Sequence, residues 1–168
     1  MLKRCIVSFV AVVLGLQSLP AVQAQQLIPA SPELAAKAWI LIDANTGHIL
    51  VENNADMPLP PASLAKMMTT YIVSEEIAAG RLTNDDTVLI SDNAWEKGGA
   101  KTDGSTMFLS PRTRVSVSDL MRGVIIQSGN DASVAIAEHI SGDEAAFAEV
   151  MNHNAALLGM TGTEYFNA

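Results

Sequence analysis

The chain has 168 residues, of which 49% are hydrophobic and 17% are charged, and its formal net charge is −8. This length suits one domain, and so apolar a composition excludes an intrinsically disordered chain. The charge is acidic and no basic run occurs, so we exclude nucleic acid as a partner.

The first 24 residues have the pattern of a secretory signal peptide. Lys3 and Arg4 precede an apolar stretch from Ile6 to Leu19, and Ala21-Val22-Gln23-Ala24 ends the segment with small residues. The stretch is too short and wrongly flanked for a stable membrane span. We therefore predict that residues 1–24 are a signal peptide and that the protein is exported, to the periplasm or the outer face of the bacterial cytoplasmic membrane. An uncleaved N-terminal anchor is the alternative.

The only cysteine, Cys5, lies in this predicted signal peptide. The mature chain is then expected to have no disulfide and no thiol chemistry. Export without cysteines favours a bacterial envelope protein over a small disulfide-stabilised one.

After an extended entry segment at residues 25–34, the chain predicts a β-hairpin. Ala38-Trp39-Ile40-Leu41-Ile42-Asp43 is one strand and His48-Ile49-Leu50-Val51-Glu52 is the return strand. Asn45-Thr46-Gly47 connects them, with glycine where a turn needs positive φ.

The next predicted element carries Ser63-Leu64-Ala65-Lys66. Pro60 and Pro61 disfavour helix before this stretch, whereas residues 62–79 contain no Pro or Gly. Their apolar residues fall near helical spacing and predict a buried helix. These are Leu64, Met67, Met68, Tyr71, Ile72 and Ile77.

Ser63 and Lys66 then share one face of the first helical turn. A serine hydroxyl becomes a good nucleophile when a nearby base takes its proton, and a lysine whose pKa is lowered can be that base. The alternative is structural, with Ser63 as a helix cap and Lys66 as a solvated side chain.

The remaining elements follow in chain order. We predict a strand at Thr87-Val88-Leu89-Ile90, a flexible loop at 98–105, and helices at 116–126, 132–140 and 143–158, the last closed by Gly159. His48, His139 and His153 lack metal-ligand spacing, so no metal site is predicted.

Ser128-Gly129-Asn130 interrupts the helices and is the second stretch with chemical potential. A hydroxyl held here can relay a proton between Lys66 and a leaving group. An amide can bind a substrate carbonyl and hold the lysine. The alternative is a simple helix break, with Asn130 as the next cap.

Together these stretches resemble the D-alanyl-D-alanine carboxypeptidases, the low-molecular-mass serine-type penicillin-binding proteins of peptidase family S11. The resemblance runs from about Trp39 to Asn167 and includes four longer matches. These are Pro61-Ala62-Ser63-Leu64-Ala65-Lys66-Met67-Met68-Thr69, Lys101-Thr102-Asp103-Gly104-Ser105-Thr106-Met107-Phe108-Leu109, Ile125-Ile126-Gln127-Ser128-Gly129-Asn130-Asp131-Ala132 and Gly159-Met160-Thr161-Gly162-Thr163. Ser-x-x-Lys and Lys-Thr-Gly are known motifs of penicillin-binding proteins.

The resemblance implies the role of each site residue. Ser63 would be the acylated nucleophile, Lys66 its general base, Ser128 the proton shuttle and Asn130 a substrate-binding residue. The substrate would be the peptidoglycan pentapeptide ending in D-Ala-D-Ala, and β-lactams would trap the same serine. No metal or cofactor is implied.

Two further stretches imitate family motifs. Ser91-Asp92-Asn93 matches a β-lactamase tripeptide but precedes a short helix, so we interpret it as a helix cap. Lys101-Thr102 is followed by Asp103 and precedes Ser128, whereas the family's Lys-Thr-Gly follows its second motif.

No Lys-Thr-Gly occurs in the 168 residues. The expected fold is an α+β (α/β) β-lactamase/transpeptidase-like fold, with the helical part and the first hairpin of an antiparallel sheet present and later strands missing. We therefore expect residues 25–168 to be a partial catalytic domain, truncated and without the family's membrane anchor, that exposes apolar faces and turns over little substrate.

Two alternatives remain beside the carboxypeptidase. One is a D,D-endopeptidase that uses the same residues on crosslinked peptides. The other is a non-catalytic remnant or binding module, which the missing third motif favours. A class A β-lactamase is disfavoured, because no convincing glutamate-bearing loop follows Asn130.

Overall fold

A computed structural model describes residues 31–168 of the chain. The predicted signal peptide and residues 25–30 of the predicted entry segment lie outside the described residues. Two compact units are present, one ending at Met57 and the other formed by Pro58–Ala168.

The first unit contains the predicted hairpin. Strands β1 (Trp39–Ile42) and β2 (Ile49–Asn53) pair antiparallel, with Trp39 opposite Asn53. Asp43 Oδ1 accepts hydrogen bonds from the backbone N–H and the hydroxyl of Thr46, both of 2.8 Å. Gly47 has φ +71°, so the predicted turn is confirmed at the residue that needs positive φ.

The second unit is mainly helical. In chain order its elements are a 3₁₀ turn Ala62–Ala65, α1 Lys66–Ala78, β3 Thr87–Leu89, α2 Asp92–Trp95, a π-helical turn Glu96–Ala100, β4 Arg114–Ser116, α3 Val117–Gln127, α4 Asn130–Ser141 and α5 Glu144–Leu157.

Side-chain caps define where two of the helices begin. Ser116 Oγ accepts from the backbone N–H of Asp119 at 3.1 Å, before α3. Asp143 Oδ1 accepts from the N–H of Ala146 at 2.7 Å, before α5. Gly159 follows α5 with φ +75°. These residues confirm the predicted start of α3 and both predicted ends of α5.

A second two-stranded sheet was not predicted. Strand β4 pairs antiparallel with β3, and Val88 lies opposite Val115. The segment Arg114–Ser116 has one apolar residue among three, which is too short for an alternating pattern. Its strand conformation comes from pairing with β3.

The prediction of a flexible loop at 98–105 is wrong for its first residues, which belong to the π-helical turn. A Cβ atom on Gly98 would overlap the backbone of Asp131, and one on Gly104 would overlap Asn130 Nδ2. Because these glycines have no side chain, the segment lies directly against the first turn of α4.

Helix α4 is the most buried helix of this unit. Its consecutive residues 131–137 are all buried. The other fully buried large side chains come from the surrounding segments and include Val73, Ile90, Leu120, Phe147 and Met151. No helix in the described part of the chain is long and apolar enough to cross a membrane.

The prediction that α1 is buried is wrong for one of its faces. Met68 and Ile72 are buried, but Leu64 in the preceding 3₁₀ turn and Met67 in α1 are 66% and 69% exposed. Only one face of α1 packs against the other helices of the unit. This agrees with the expectation that a partial fold exposes apolar faces.

Candidate active site

Ser63 lies in the 3₁₀ turn that leads into α1. Ala62 before it has φ +49°, and Leu64 N–H donates to Pro61 O at 3.1 Å. The N–H of Lys66 donates to the carbonyl of Ser63. Side chains three residues apart are eclipsed in a 3₁₀ turn, so Ser63 and Lys66 extend from the same side. Ser63 is exposed, so its hydroxyl is open to a substrate.

Lys66 is the buried amine of this site. It is only 9% exposed, and its Nζ donates to Asn130 Oδ1 at 2.6 Å. Burial lowers the pKa of Lys66 from its ordinary value, because the charged amine loses hydration. A larger fraction of the side chain is then the neutral amine that a general base requires.

Ser128 follows the last turn of α3 in the left-handed region, with φ 56° and ψ 33°. The N–H groups of Ser128 and Gly129 both donate to Gly123 O, which ties the residues after α3 to its last turns. A serine in this conformation is strained relative to glycine. The turn directs the Ser128 hydroxyl to Ser63 Oγ, 2.8 Å away.

Asn130 is the first residue of α4, and Gly129 is the N-cap. The predicted alternative, in which Asn130 itself is the cap, is therefore wrong. The Asn130 N–H donates to Ser105 O at 2.9 Å, while its side-chain oxygen accepts from Lys66. Through its main chain Asn130 connects α4 to the loop at Ser105, and through its side chain it connects α4 to Lys66 of α1.

The four predicted site residues therefore form two hydrogen-bonded pairs, Ser63 with Ser128 and Lys66 with Asn130. Their members are 65 and 64 positions apart in sequence. A hydroxyl pair and a desolvated amine are the groups that nucleophilic catalysis by serine needs. Either hydroxyl can donate after rotation, so a proton can leave Ser63 through Ser128.

The two stretches that imitate family motifs, Ser91-Asp92-Asn93 and Lys101-Thr102, lie outside the site. Ser91 Oγ accepts from Ala94 N–H at 2.8 Å, which confirms that Ser91 is a helix cap. The Lys101 ammonium lies 2.8 Å from Glu96 and 5.7 Å from the centre of the Trp95 ring. Both stretches contact their own surroundings rather than Ser63.

Asp131 was not predicted as a functional residue, although it lies within the family match at residues 125–132. It is 1% exposed and lies next to Asn130. A charged residue at the start of the apolar run Ala132–Ala137 was the available signal, because an unpaired carboxylate is rarely buried. Its acceptor oxygens hold a loop, as described below.

Residues 31–168 contain no group of three or more His, Cys, Asp or Glu side chains placed to hold a metal ion.

Comparison with known protein families matches residues 25–168 to the D-alanyl-D-alanine carboxypeptidases, peptidase family S11. The chain belongs to this family. The suspected resemblance is thereby confirmed over the whole predicted mature chain.

Individual relatives agree with this assignment. D-alanyl-D-alanine carboxypeptidase DacC of Escherichia coli K12 is 45% identical over 143 residues, which is 84% of this chain and 36% of DacC. A D-alanyl-D-alanine endopeptidase of Pseudomonas aeruginosa is 30% identical over 142 residues, 82% of this chain and 42% of that protein.

Penicillin binding protein 5 from Haemophilus influenzae is similar in structure, with a TM-score of 0.77 and 44% identity over 83% of this chain and 40% of that chain. The transpeptidase-like fold class is therefore confirmed. The chain spans well under half the length of each of these relatives.

Proposed function

We propose that this protein is a serine-type D-Ala-D-Ala carboxypeptidase that acts on peptidoglycan stem peptides. Ser63, Lys66 and Ser128 are its catalytic residues and Asn130 binds substrate. The observation that carries the proposal is the pairing of Ser63 with Ser128 and of Lys66 with Asn130, at 2.8 and 2.6 Å. Membership of the carboxypeptidase family supports it.

In the proposed reaction, Ser63 Oγ attacks the carbonyl carbon of the penultimate D-alanine. Lys66 takes the hydroxyl proton, either directly or through Ser128, and the acyl-enzyme ester forms. The C–N bond breaks as Ser128 passes a proton to the leaving amine of the terminal D-alanine. Water then hydrolyses the ester and restores Ser63.

β-Lactams are proposed as inhibitors that acylate Ser63. The name of the Haemophilus relative describes a penicillin-binding protein, and a β-lactam carbonyl needs the same nucleophile and base. Its amide nitrogen remains attached after ring opening, so the ester formed is expected to persist.

A D,D-endopeptidase is the second candidate. The Pseudomonas relative named as an endopeptidase supports it at 30% identity. The two activities share their chemistry and differ in the peptide on the leaving-group side. Products formed from a stem pentapeptide and from a crosslinked dimer would distinguish them.

The signal-like pattern of residues 1–24 supports a location in the periplasm or on the outer face of the bacterial cytoplasmic membrane, where peptidoglycan is accessible. Residues 25–168 are proposed as a partial catalytic domain, since the family match covers them.

The test is the intact mass of the purified chain after incubation with benzylpenicillin. We expect a mass increase equal to one penicillin molecule on the parent and on Ser91→Ala, and none on Ser63→Ala. Ser91 is the matched control because it caps a helix elsewhere.

Peptide mapping should place the adduct on Ser63. An unmodified parent, or an adduct that persists in Ser63→Ala, would overturn the proposal that these residues form a working nucleophile. A non-catalytic remnant would then be the better description.

A further inference from the structure

Asp131 is a buried carboxylate that the proposed reaction does not use. It is 1% exposed and lies in the first turn of α4, where the helix dipole favours negative charge. None of the four ion pairs among the described residues includes it. A carboxylate buried in this way must be stabilised by hydrogen bonds.

Four donors supply those bonds. Asp131 Oδ1 accepts from the N–H groups of Met107 and Ala132, each at 2.9 Å. Oδ2 accepts from the Thr106 hydroxyl at 2.8 Å and from the N–H of Leu109 at 2.9 Å. Three of the four donors belong to one loop segment, so the carboxylate fixes residues 106–109 against α4.

The same loop segment contacts the proposed site. Ser105 O accepts from Asn130 N–H at 2.9 Å, and Asn130 Oδ1 binds Lys66. Gly129 is also close, since a Cβ atom there would lie 3.2 Å from Met107 N and 3.0 Å from Asp131 Oδ1. The carboxylate therefore lies at the centre of the contacts between this loop and residues 128–130.

We propose that Asp131 is a positioning residue that fixes loop 105–109 against residues 128–130 and thereby holds Asn130 at Lys66. This inference rests on the proposed function, because it assigns Asp131 to the support of Asn130. Asp131 acts through Asn130 and does not itself touch the reacting atoms.

The direct test replaces the carboxylate with Asp131→Asn. An amide group cannot accept at its nitrogen, so at least one of the loop donors loses its partner. We expect amide hydrogen exchange at Met107 and Leu109 to become faster and Ser63 acylation to slow by about tenfold or more. Asp119→Asn, which alters an exposed carboxylate in the first turn of α3, should change acylation by less than about twofold.

A second pair of variants leaves α4 unaltered. Thr106→Val removes one donor to Asp131 at nearly constant volume, whereas Thr106→Ser keeps the hydroxyl. We expect Thr106→Val to slow acylation and Thr106→Ser to restore it. This pair decides the proposal if Asp131→Asn does not fold.

A readout in the free protein separates this proposal from the proposed function. With [ε-¹³C]lysine, NMR titration follows the Lys66 amine, and ¹⁵N shifts follow the Asn130 side-chain amide. Both should change in Asp131→Asn and Thr106→Val but not in Asp119→Asn. If the parent is not acylated, the proposed function fails for this chain and these spectra still decide the role of Asp131.

Spectra of Lys66 and Asn130 that match the parent in folded Asp131→Asn and Thr106→Val would overturn the proposal. So would acylation of both variants within about twofold of the parent. Either result would reduce Asp131 to a contributor to loop stability.

Discussion

The amine of Lys66 binds the side-chain oxygen of Asn130, so its hydrogen-bonding partner is a neutral amide and not a carboxylate. Burial is the cause of the lowered pKa of Lys66. An amide oxygen satisfies the buried amine without adding the negative charge that would favour its protonated form. The choice of asparagine at position 130 therefore suits a lysine that must work as a base.

Asn130→Asp tests this relationship. A carboxylate at hydrogen-bond distance should raise the pKa of Lys66, roughly by 1 to 3 pH units. Because the neutral amine is the base, the acylation rate of the parent should rise with pH through the Lys66 pKa. In the variant that rise should move to higher pH, so acylation near pH 7 should be slower.

The measurement is the rate of penicillin acylation from pH 5 to 10, followed by intact mass. Asn84→Asp adds the same charge at an exposed position and should leave the profile in place. An unshifted profile in Asn130→Asp would contradict the proposed role of Lys66 as the base.

The pH dependence of stability gives an independent check on Lys66. Its folded pKa lies below the ordinary value of 10.5, so between the two values the unfolded chain binds more protons. The free energy of unfolding should therefore rise with pH across that window, by up to about 1.4 kcal/mol per pH unit. Lys66→Met lacks the titrating group and should lack this contribution.

Urea unfolding of the parent and Lys66→Met from pH 6 to 10 makes the comparison. The parent should gain stability relative to the variant as pH rises towards 10.5. A difference that stays constant with pH would show that folding does not lower the Lys66 pKa.

The local elements of the fold were predictable where a short pattern defines them. Gly47 marked the hairpin turn, Asp143 and Gly159 marked the ends of α5, and Ser91 was identified as a cap. Each signal depends on a side chain or a φ angle within a few residues of its effect. Strand β4 and the contact of residues 98–104 with α4 depend on partners distant in sequence, and neither was predicted.

The same distinction applies to the candidate site. Spacing within Ser63–Lys66 indicated a shared face, but it did not indicate that each residue bonds to a partner more than 60 positions away. Ser128 and Asn130 were proposed from the polar break between two helices, and the family resemblance then assigned their roles. Asp131 was overlooked because its partners are mainly backbone N–H groups of a loop. Every residue except proline has such a group, so the sequence does not show which of them bind a carboxylate.

The left-handed conformation of Ser128 predicts that a glycine at this position stabilises the fold although it removes the hydroxyl needed for the reaction. Glycine is free of the steric strain at φ 56°, so Ser128→Gly should unfold with a free energy about 1 kcal/mol higher than Ser128→Ala. Both variants lack the hydroxyl and should lose the proton relay. Comparing these two variants isolates the backbone effect.

Ser118 provides the matched control, because it lies within helix α3. There Ser118→Gly should be less stable than Ser118→Ala by about 1 kcal/mol. Urea midpoints of the four variants at one pH give both differences. The same sign at both positions would contradict the assigned conformation of Ser128.

Gly104 is predicted to matter through the space that it leaves for Asn130. A Cβ atom on Gly104 would overlap Asn130 Nδ2, whereas one on Gly162 meets nothing within 4 Å. Gly104→Ala should therefore displace the Asn130 amide from Lys66 and slow Ser63 acylation by about tenfold or more. Overall stability should change little, because both glycines are exposed and neither has positive φ.

Gly162→Ala is the control and should be acylated at the rate of the parent. The Asn130 side-chain amide shifts, measured by ¹⁵N NMR in the free protein, should change in Gly104→Ala alone. If the Asn130 signals move without any loss of acylation, the Lys66–Asn130 hydrogen bond is not needed to position the base. If neither changes, the loop accommodates a methyl group by moving away from Asn130, and its close approach is not required by the site.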